Sequence, residues 1–289
     1  MKSVTDPGIE ACYRAPYSSA RDPIGEGSNG NGPVRMSSNI LDNPFIVFLA
    51  VLIAQSLAAF LGDFLRRGGR PIHKDAQGIL HTIQTAILTL LALIIGFSFS
   101  MAVTRYDQRK NYEEAEANAI GTEYVRADLL PVDNGALSVR ELLRKYLDQR
   151  ILFYETSDQR QISQVNIETA KLQADLWSAV WPTANAQPTQ VLALTVSGMN
   201  DVLNSQGYTQ AAWLNRIPVG AWVMMGLIAI FSNLLLGYRE RRSGLLLLIL
   251  PIIVSMAFLL IADIDSPRGG LIRVSPQNLL LLRESIKPF

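Results

Sequence analysis

Four apolar runs without Asp, Glu, Lys or Arg, at residues 45–61, 79–103, 217–238 and 244–262, constrain this chain more than any other feature. A helix needs roughly 20 such residues to cross about 30 Å of hydrocarbon, so the runs predict four membrane-spanning helices. Asn43 and Pro44 open the first run as an N-cap and a first helical residue whose missing N–H costs nothing, and Phe64 and Leu65 extend it. The second run is the most polar, carrying His81, Thr82, Gln84, Thr85, Thr89, Ser98 and Ser100, and a polar helix in a bilayer is expected to face protein or water. Pro251 lies inside the fourth, which requires neighbours to satisfy the freed carbonyl.

The rest of the chain is hydrophilic and helical. Residues 104–216 contain no alternating strand pattern, and 104–130 continues the second run without a breaker until Pro131, which predicts a single rod of about 75 Å at 1.5 Å per residue. A second helix is expected over 136–155, where Val139, Leu142, Leu143, Tyr146, Leu147 and Tyr154 share one face. A third is expected over 163–181, ended by Pro182, and a fourth over 189–216 leads through Pro218 into the third span. The expected fold class is therefore an all-α integral membrane protein: spans at 45–103 and 217–262, a helical extramembrane domain inserted at 104–216 between the second and third spans, and a C-terminal segment at 263–289. Residues 1–44, with the Gly- and Asn-rich string Gly25 to Pro33, have too little apolar surface to fold and read as a disordered tail. They carry no secretory h-region, and Met36 is a candidate translation start.

Composition removes several function classes. With 26 Lys+Arg against 25 Asp+Glu the net charge is +1, so no nucleic-acid partner is expected. Cys12 is the single cysteine, which excludes an intramolecular disulfide or a Cys-built zinc site. His73 and His81 are eight residues apart with no Glu beside either, and there is no nucleophile elbow, phosphate loop or dinucleotide fingerprint. Neither enzyme activity, cofactor nor metal is expected.

The string Gly96-Phe97-Ser98-Phe99-Ser100-Met101-Ala102-Val103-Thr104-Arg105-Tyr106 resembles the second span of the bestrophins. Residues 116–122 (EANAIGT), 126–131 (RADLLP) and 263–274 (DIDSPRGGLIRV) are similar to strings of the bacterial bestrophin-like domain family, in the same order. The resemblance implies a homo-oligomeric, pentameric ion channel whose second span lines a narrow apolar neck. By the Gly-Phe register the neck falls on Thr89, Leu93 and Phe97, four residues apart on one helix face, where apolar rings gate by dewetting. The same spacing also serves ordinary helix packing. Thr89 is polar where bestrophins carry an apolar residue, Arg105-Tyr106-Asp107 replaces their Arg-Trp-Trp, and no acidic run after the fourth span matches their calcium clasp, so calcium gating is not implied.

Vestibule or selectivity candidates are Arg105, Arg109, Glu113 and Glu116, since rings of acids favour cations and rings of arginines favour anions. Asp263, Asp265, Arg268 and Arg273 close the fourth span and are expected to form ion pairs that lock it against 104–116. The competing class is a non-conducting membrane scaffold or sensor whose helical domain binds a partner. The lipid bilayer, further copies of the chain and inorganic ions are the expected partners. Seven Lys/Arg crowd the short loops (Arg66, Arg67, Arg70, Lys74, Arg239, Arg241, Arg242), which by density puts those loops in the cytoplasm. The bestrophin resemblance implies the reverse. We adopt an inner-membrane protein with domain and termini cytoplasmic, because no long hydrophilic insert then crosses the bilayer and Cys12 stays in a reducing compartment.

Overall fold

The computed structural model describes residues 43–67, 74–131, 135–239 and 244–287. The expectations on the N-terminal tail, including Cys12 and Met36, and on Arg70, His73, Arg241 and Arg242 lie outside the described residues. These are entirely helical and loop, with no strand among them. The helices are α1 (Pro44–Arg67), α2 (Lys74–Arg126), α3 (Gly135–Glu155), α4 (Gln159–Ala186), α5 (Gln190–Leu214), α6 (Val219–Arg239), α7 (Ile249–Asp265) and α8 (Gln277–Ser285). Four stretches are long and apolar enough to cross a membrane: Pro44–Arg67, Gln77–Leu129, Gln190–Arg239 and Leu245–Asp265.

Local sequence sets the ends. The Asn43 side-chain oxygen accepts from the Phe45 N–H at 3.1 Å while its carbonyl accepts from Ile46 and Val47, so Asn43 caps α1 with Pro44 at its first position. α2 runs 53 residues without interruption, about 80 Å at 1.5 Å per residue. A 3-10 turn, Ala127–Leu129, then tightens its end, and Leu130 is extended, as the residue before Pro131 must be. Asp158 caps α4 by accepting from the Arg160 N–H at 3.0 Å, and Thr189 caps α5 by accepting from Leu192 at 3.2 Å. Pro218 interrupts the path from α5 to α6.

Two boundaries differ from the sequence reading. α4 begins four residues earlier than expected and passes through Pro182 to Ala186. A proline there removes a single i→i−4 bond near the end of the helix, and stacking of Trp177 on Trp181, with ring centroids 5.9 Å apart, spans the weak turn. The fourth apolar run starts as a 3-10 turn, Gly244–Leu248, and α7 proper starts at Ile249. Pro251 is therefore in the first α-helical turn, where no neighbour need replace its N–H.

The buried residues form two cores. One gathers Val47, Leu91, Ala102, Trp222, Met225, Phe258 and Ile261 from α1, α2, α6 and α7. The other gathers Ile120, Leu143, Tyr146, Leu147, Leu176, Met199, Val202 and Leu279 from α2, α3, α4, α5 and α8. Tyr106 of α2 packs against both. α1 and α6 approach most closely where Gly62 faces Leu234 and Gly237 faces Ala59: a Cβ on either glycine would overlap the opposing carbonyl. One turn deeper, Asn233 donates from its side-chain nitrogen to Gln55 Oε1 at 2.8 Å, a polar tie of the kind that joins helices in lipid.

Candidate functional site

Two regions of α2 gather the sequence-derived candidates. In the apolar part, Leu93 and Phe97 remain 53% and 63% exposed, and Thr89 is exposed beside them, although Leu91 and Ser98 on the opposite side are buried. The exposed face continues in both directions at helical spacing. His81, Thr82, Thr85, Thr89 and Leu93 line one shallow hollow, and Phe97, Ser100, Thr104, Arg105 and Gln108 line the next. The threonine hydroxyls donate to the carbonyl one turn back: Thr85 to His81 and Thr89 to Thr85, both at 2.9 Å, and Thr104 to Ser100 at 2.9 Å. Their methyl groups then share the surface with the leucine and phenylalanine, giving a face of bare apolar groups with polar atoms just behind them.

Below Val103 the stripe that points inward is charged. Arg109, Glu113, Glu116, Ile120, Glu123 and Ala127, spaced four and three apart, are all 0–1% exposed. Arg109, Glu113 and Glu116, expected on a vestibule wall, are thus buried within the protomer. Each has an internal partner. Arg109 donates to four carbonyls, Ala212 and Asn215 at the end of α5 and Ile264 and Asp265 at the end of α7, at 3.0–3.3 Å. A guanidinium placed there satisfies orphan carbonyls and meets the negative ends of two helix dipoles. Glu113 accepts from the Leu279 N–H at 3.0 Å and from the Asn278 side chain at 2.6 Å, holding the start of α8 as an N-terminal anion does. Glu116 pairs with Arg150 of α3 and accepts from the hydroxyls of Tyr154, at 3.3 Å, and Thr209, at 3.1 Å. The sequence contained a signal for Arg150: it continues the Leu143 and Leu147 stripe of α3, where a charge requires a buried counter-ion.

Arg105 is the one of the four that reaches the open face, and its Nη1 is 3.6 Å from Asp265 Oδ1. Asp265 also accepts from the Ile217 N–H at 3.1 Å, just ahead of α6. Asp263 accepts from the Leu271 and Ile272 N–H groups at 2.6 and 3.0 Å, and a Cβ at Gly270 would collide with it, which accounts for a glycine there. Arg268 donates to the Phe153 and Thr156 carbonyls at 2.8 and 2.6 Å, capping the end of α3, and Arg273 donates to Gly270 at 2.6 Å. The residues that end and follow α7 therefore work chiefly by side-chain-to-backbone bonds, a role that charge counting did not anticipate, and they tie α7 to α2, α3 and α6. Arg268 also lies over the rings of Phe153, 4.6 Å from the centroid, and Trp213, at 4.3 Å.

Four apolar helices, one continuous long helix through two cores and a clamp of charged groups after the last span define a polytopic, all-α membrane protein. The chain belongs to the Bestrophin-like domain family, whose profile matches residues 49–279. Its fold is similar to crystal structures of a bacterial bestrophin homologue from Klebsiella pneumoniae. One of these is 15% identical, with 84% of this chain and 95% of that chain covered and a TM-score of 0.54. Two single-substitution variants are each 12% identical with a TM-score of 0.57; one match covers 86% of this chain and 98% of that chain, the other 84% and 97%. None of the curated proteins matches the chain.

Proposed function

We propose that the chain is one subunit of a homo-oligomeric, pentameric ion channel of the inner membrane, with residues 79–103 of α2 lining the path. Thr89, Leu93 and Phe97 would form its neck and Arg105 the first charge beyond it. The observation that carries this reading is the uncovered α2 face from His81 to Gln108, which mixes threonines, a histidine and large apolar side chains where a purely lipid-facing helix would be uniformly apolar. Packed around an axis, the Leu93 and Phe97 side chains make apolar rings that gate by dewetting. Residues 104–216 form the extramembrane layer on the cytoplasmic side. In this reading Arg105, which reaches the open face, is the selectivity candidate, and the burial of Arg109, Glu113 and Glu116 supports a role for them in holding the protomer together.

Single-channel recording of the purified protein in planar bilayers tests the proposal. Unitary currents altered by Leu93→Ala and Phe97→Ala, and a reversal potential shifted by Arg105→Glu, are expected. Electrical silence from parent and variants, with the oligomer intact by native mass spectrometry, would overturn it in favour of a scaffold or sensor.

A further inference from the structure

On the inward stripe of α2 one charged residue differs from the other three. Arg109 is held by four carbonyls, Glu113 by the start of α8 and Glu116 by Arg150, whereas Glu123, 0% exposed, has no hydrogen-bond partner for either carboxylate oxygen among the described residues. It lies in the seam between α2 and α5. A Cβ at Gly198 of α5 would come within 2.1 Å of Glu123 Oε2 and 2.6 Å of Arg126 Nη1, so the acid and the guanidinium flank one gap that a glycine leaves open. Arg126 is itself bound to α5: its Nη1 donates to the Leu194 carbonyl at 3.3 Å, and the Thr195 hydroxyl donates to the Arg126 carbonyl at 3.4 Å. Ile120 and Ala127 of α2 and Met199 and Val202 of α5, all 0% exposed, belong to one apolar core along this seam.

We propose that Glu123 is a proton-operated latch between α2 and α5: as the neutral acid it fills the seam, and as the anion it draws Arg126 off the Leu194 carbonyl and brings water in, freeing 194–202 from α2. An ionised carboxylate without a donor is the costly form in an apolar seam, and in the closed arrangement the guanidinium that would neutralise it is committed to α5. The charges that act on Glu123 are Arg126 of α2, which favours the anion, and Asp201 of α5, which opposes it. Neighbouring helices turn their charges elsewhere. Arg140 and Arg144 of α3 lie over the Tyr124 ring, Arg140 pairing with Asp128 and Arg144 donating to the Ile286 carbonyl; on α8, Arg283 is 4.0 Å from Asp148 and Glu284 pairs with Lys287. Burial pushes the Glu123 carboxyl up to about 8, which sets the latch just to the alkaline side of neutrality. The inference does not depend on conduction.

The test uses the full chain in detergent. Amide hydrogen exchange, corrected for the intrinsic rate at each pH, is followed over 194–202 of α5 from about pH 6.5 to about pH 9, with 139–151 of α3 as the internal reference. Infrared difference spectra over the same range report the carbonyl stretch of a protonated carboxyl. Glu123→Gln fixes the neutral form, and Asp201→Asn, at an exposed position, removes the charge that helps to hold the proton. An opening driven by ionisation at about 8 is favoured about tenfold at pH 9, so protection over 194–202 should fall by about that factor in the parent while 139–151 is unchanged. The carboxyl band should fade over the same interval. In Glu123→Gln the loss of protection and the fading band should both be absent, and in Asp201→Asn both should begin at lower pH. Protection over 194–202 that does not change with pH, a fall of equal size in Glu123→Gln or in the α3 reference, or an onset unmoved by Asp201→Asn would overturn the inference.

Discussion

Replacing Glu123 by Gln should remove a pH dependence built into the long helix. Glu123 is 0% exposed, neither carboxylate oxygen has a hydrogen-bond partner among the described residues, and it presses on α5 at Gly198, where any Cβ would overlap its Oε2. It belongs to the charged section of α2, 20 residues beyond the apolar run that ends at Val103. Burial raises its pKa from 4.5 to about 8; Arg126 opposes the rise and Asp201 adds to it. The folded chain thus holds a proton that the unfolded chain releases above about 4.5. Stability from this group is complete below that value and is lost as the pH rises toward 8. The maximum slope is about 1.4 kcal/mol per pH unit, giving a ceiling near 5 kcal/mol across the interval; screening by nearby solvent reduces the expectation to about 2 kcal/mol. The assay is the thermal midpoint of the detergent-solubilised protein, followed by size exclusion after heating, from about pH 5 to about pH 9. Parent and Glu123→Gln should coincide at the acid end, with the variant more stable at the basic end. Parallel profiles, or a variant less stable than the parent near pH 9, would refute the reasoning.

Other consequences are as direct. Arg150→Met leaves the Glu116 carboxylate buried without its counter-ion and should cost about 3–5 kcal/mol, seen as a lower thermal midpoint; adding Glu116→Leu should recover part of the loss. Gly237→Ala drives a methyl into the Ala59 carbonyl and should destabilise the α1–α6 contact by about 2 kcal/mol, whereas Gly226→Ala, whose Cβ would meet open space, should be neutral. Asp263→Ala frees the Leu271 and Ile272 N–H groups and should make the chain after α7 a new site of limited proteolysis.

The membrane-crossing helices and the unbroken α2 were legible because long charge-free runs and the absence of breakers before Pro131 are one-dimensional signals. The inward stripe of α2 was not. Arg109, Glu113 and Glu116 read as vestibule residues, because what buries them comes from α3, α5, α7 and α8, distant in sequence. Pro182 misled for a local reason: its cost is one hydrogen bond, and a helix near its end tolerates that. The pairing of Gln55 with Asn233 depends on how two separate apolar helices cross, which neither helix encodes alone. On the open face, register placed Thr89, Leu93 and Phe97 together, but their exposure is set by which sides of α2 the α6 and α7 helices cover.

The unbroken course of α2 also has a mechanical meaning. A 53-residue helix that is continuous and has no proline inside it lacks the commonest cause of a kink, and Tyr106 packs against both cores near its middle. Pivoted there, a tilt of about one degree moves the Ile79 end, roughly 40 Å away, by about 0.7 Å. Such a helix can act as a lever, since Glu113, which holds the start of α8, and the exposed Leu93 and Phe97 lie on one continuous element on either side of Tyr106.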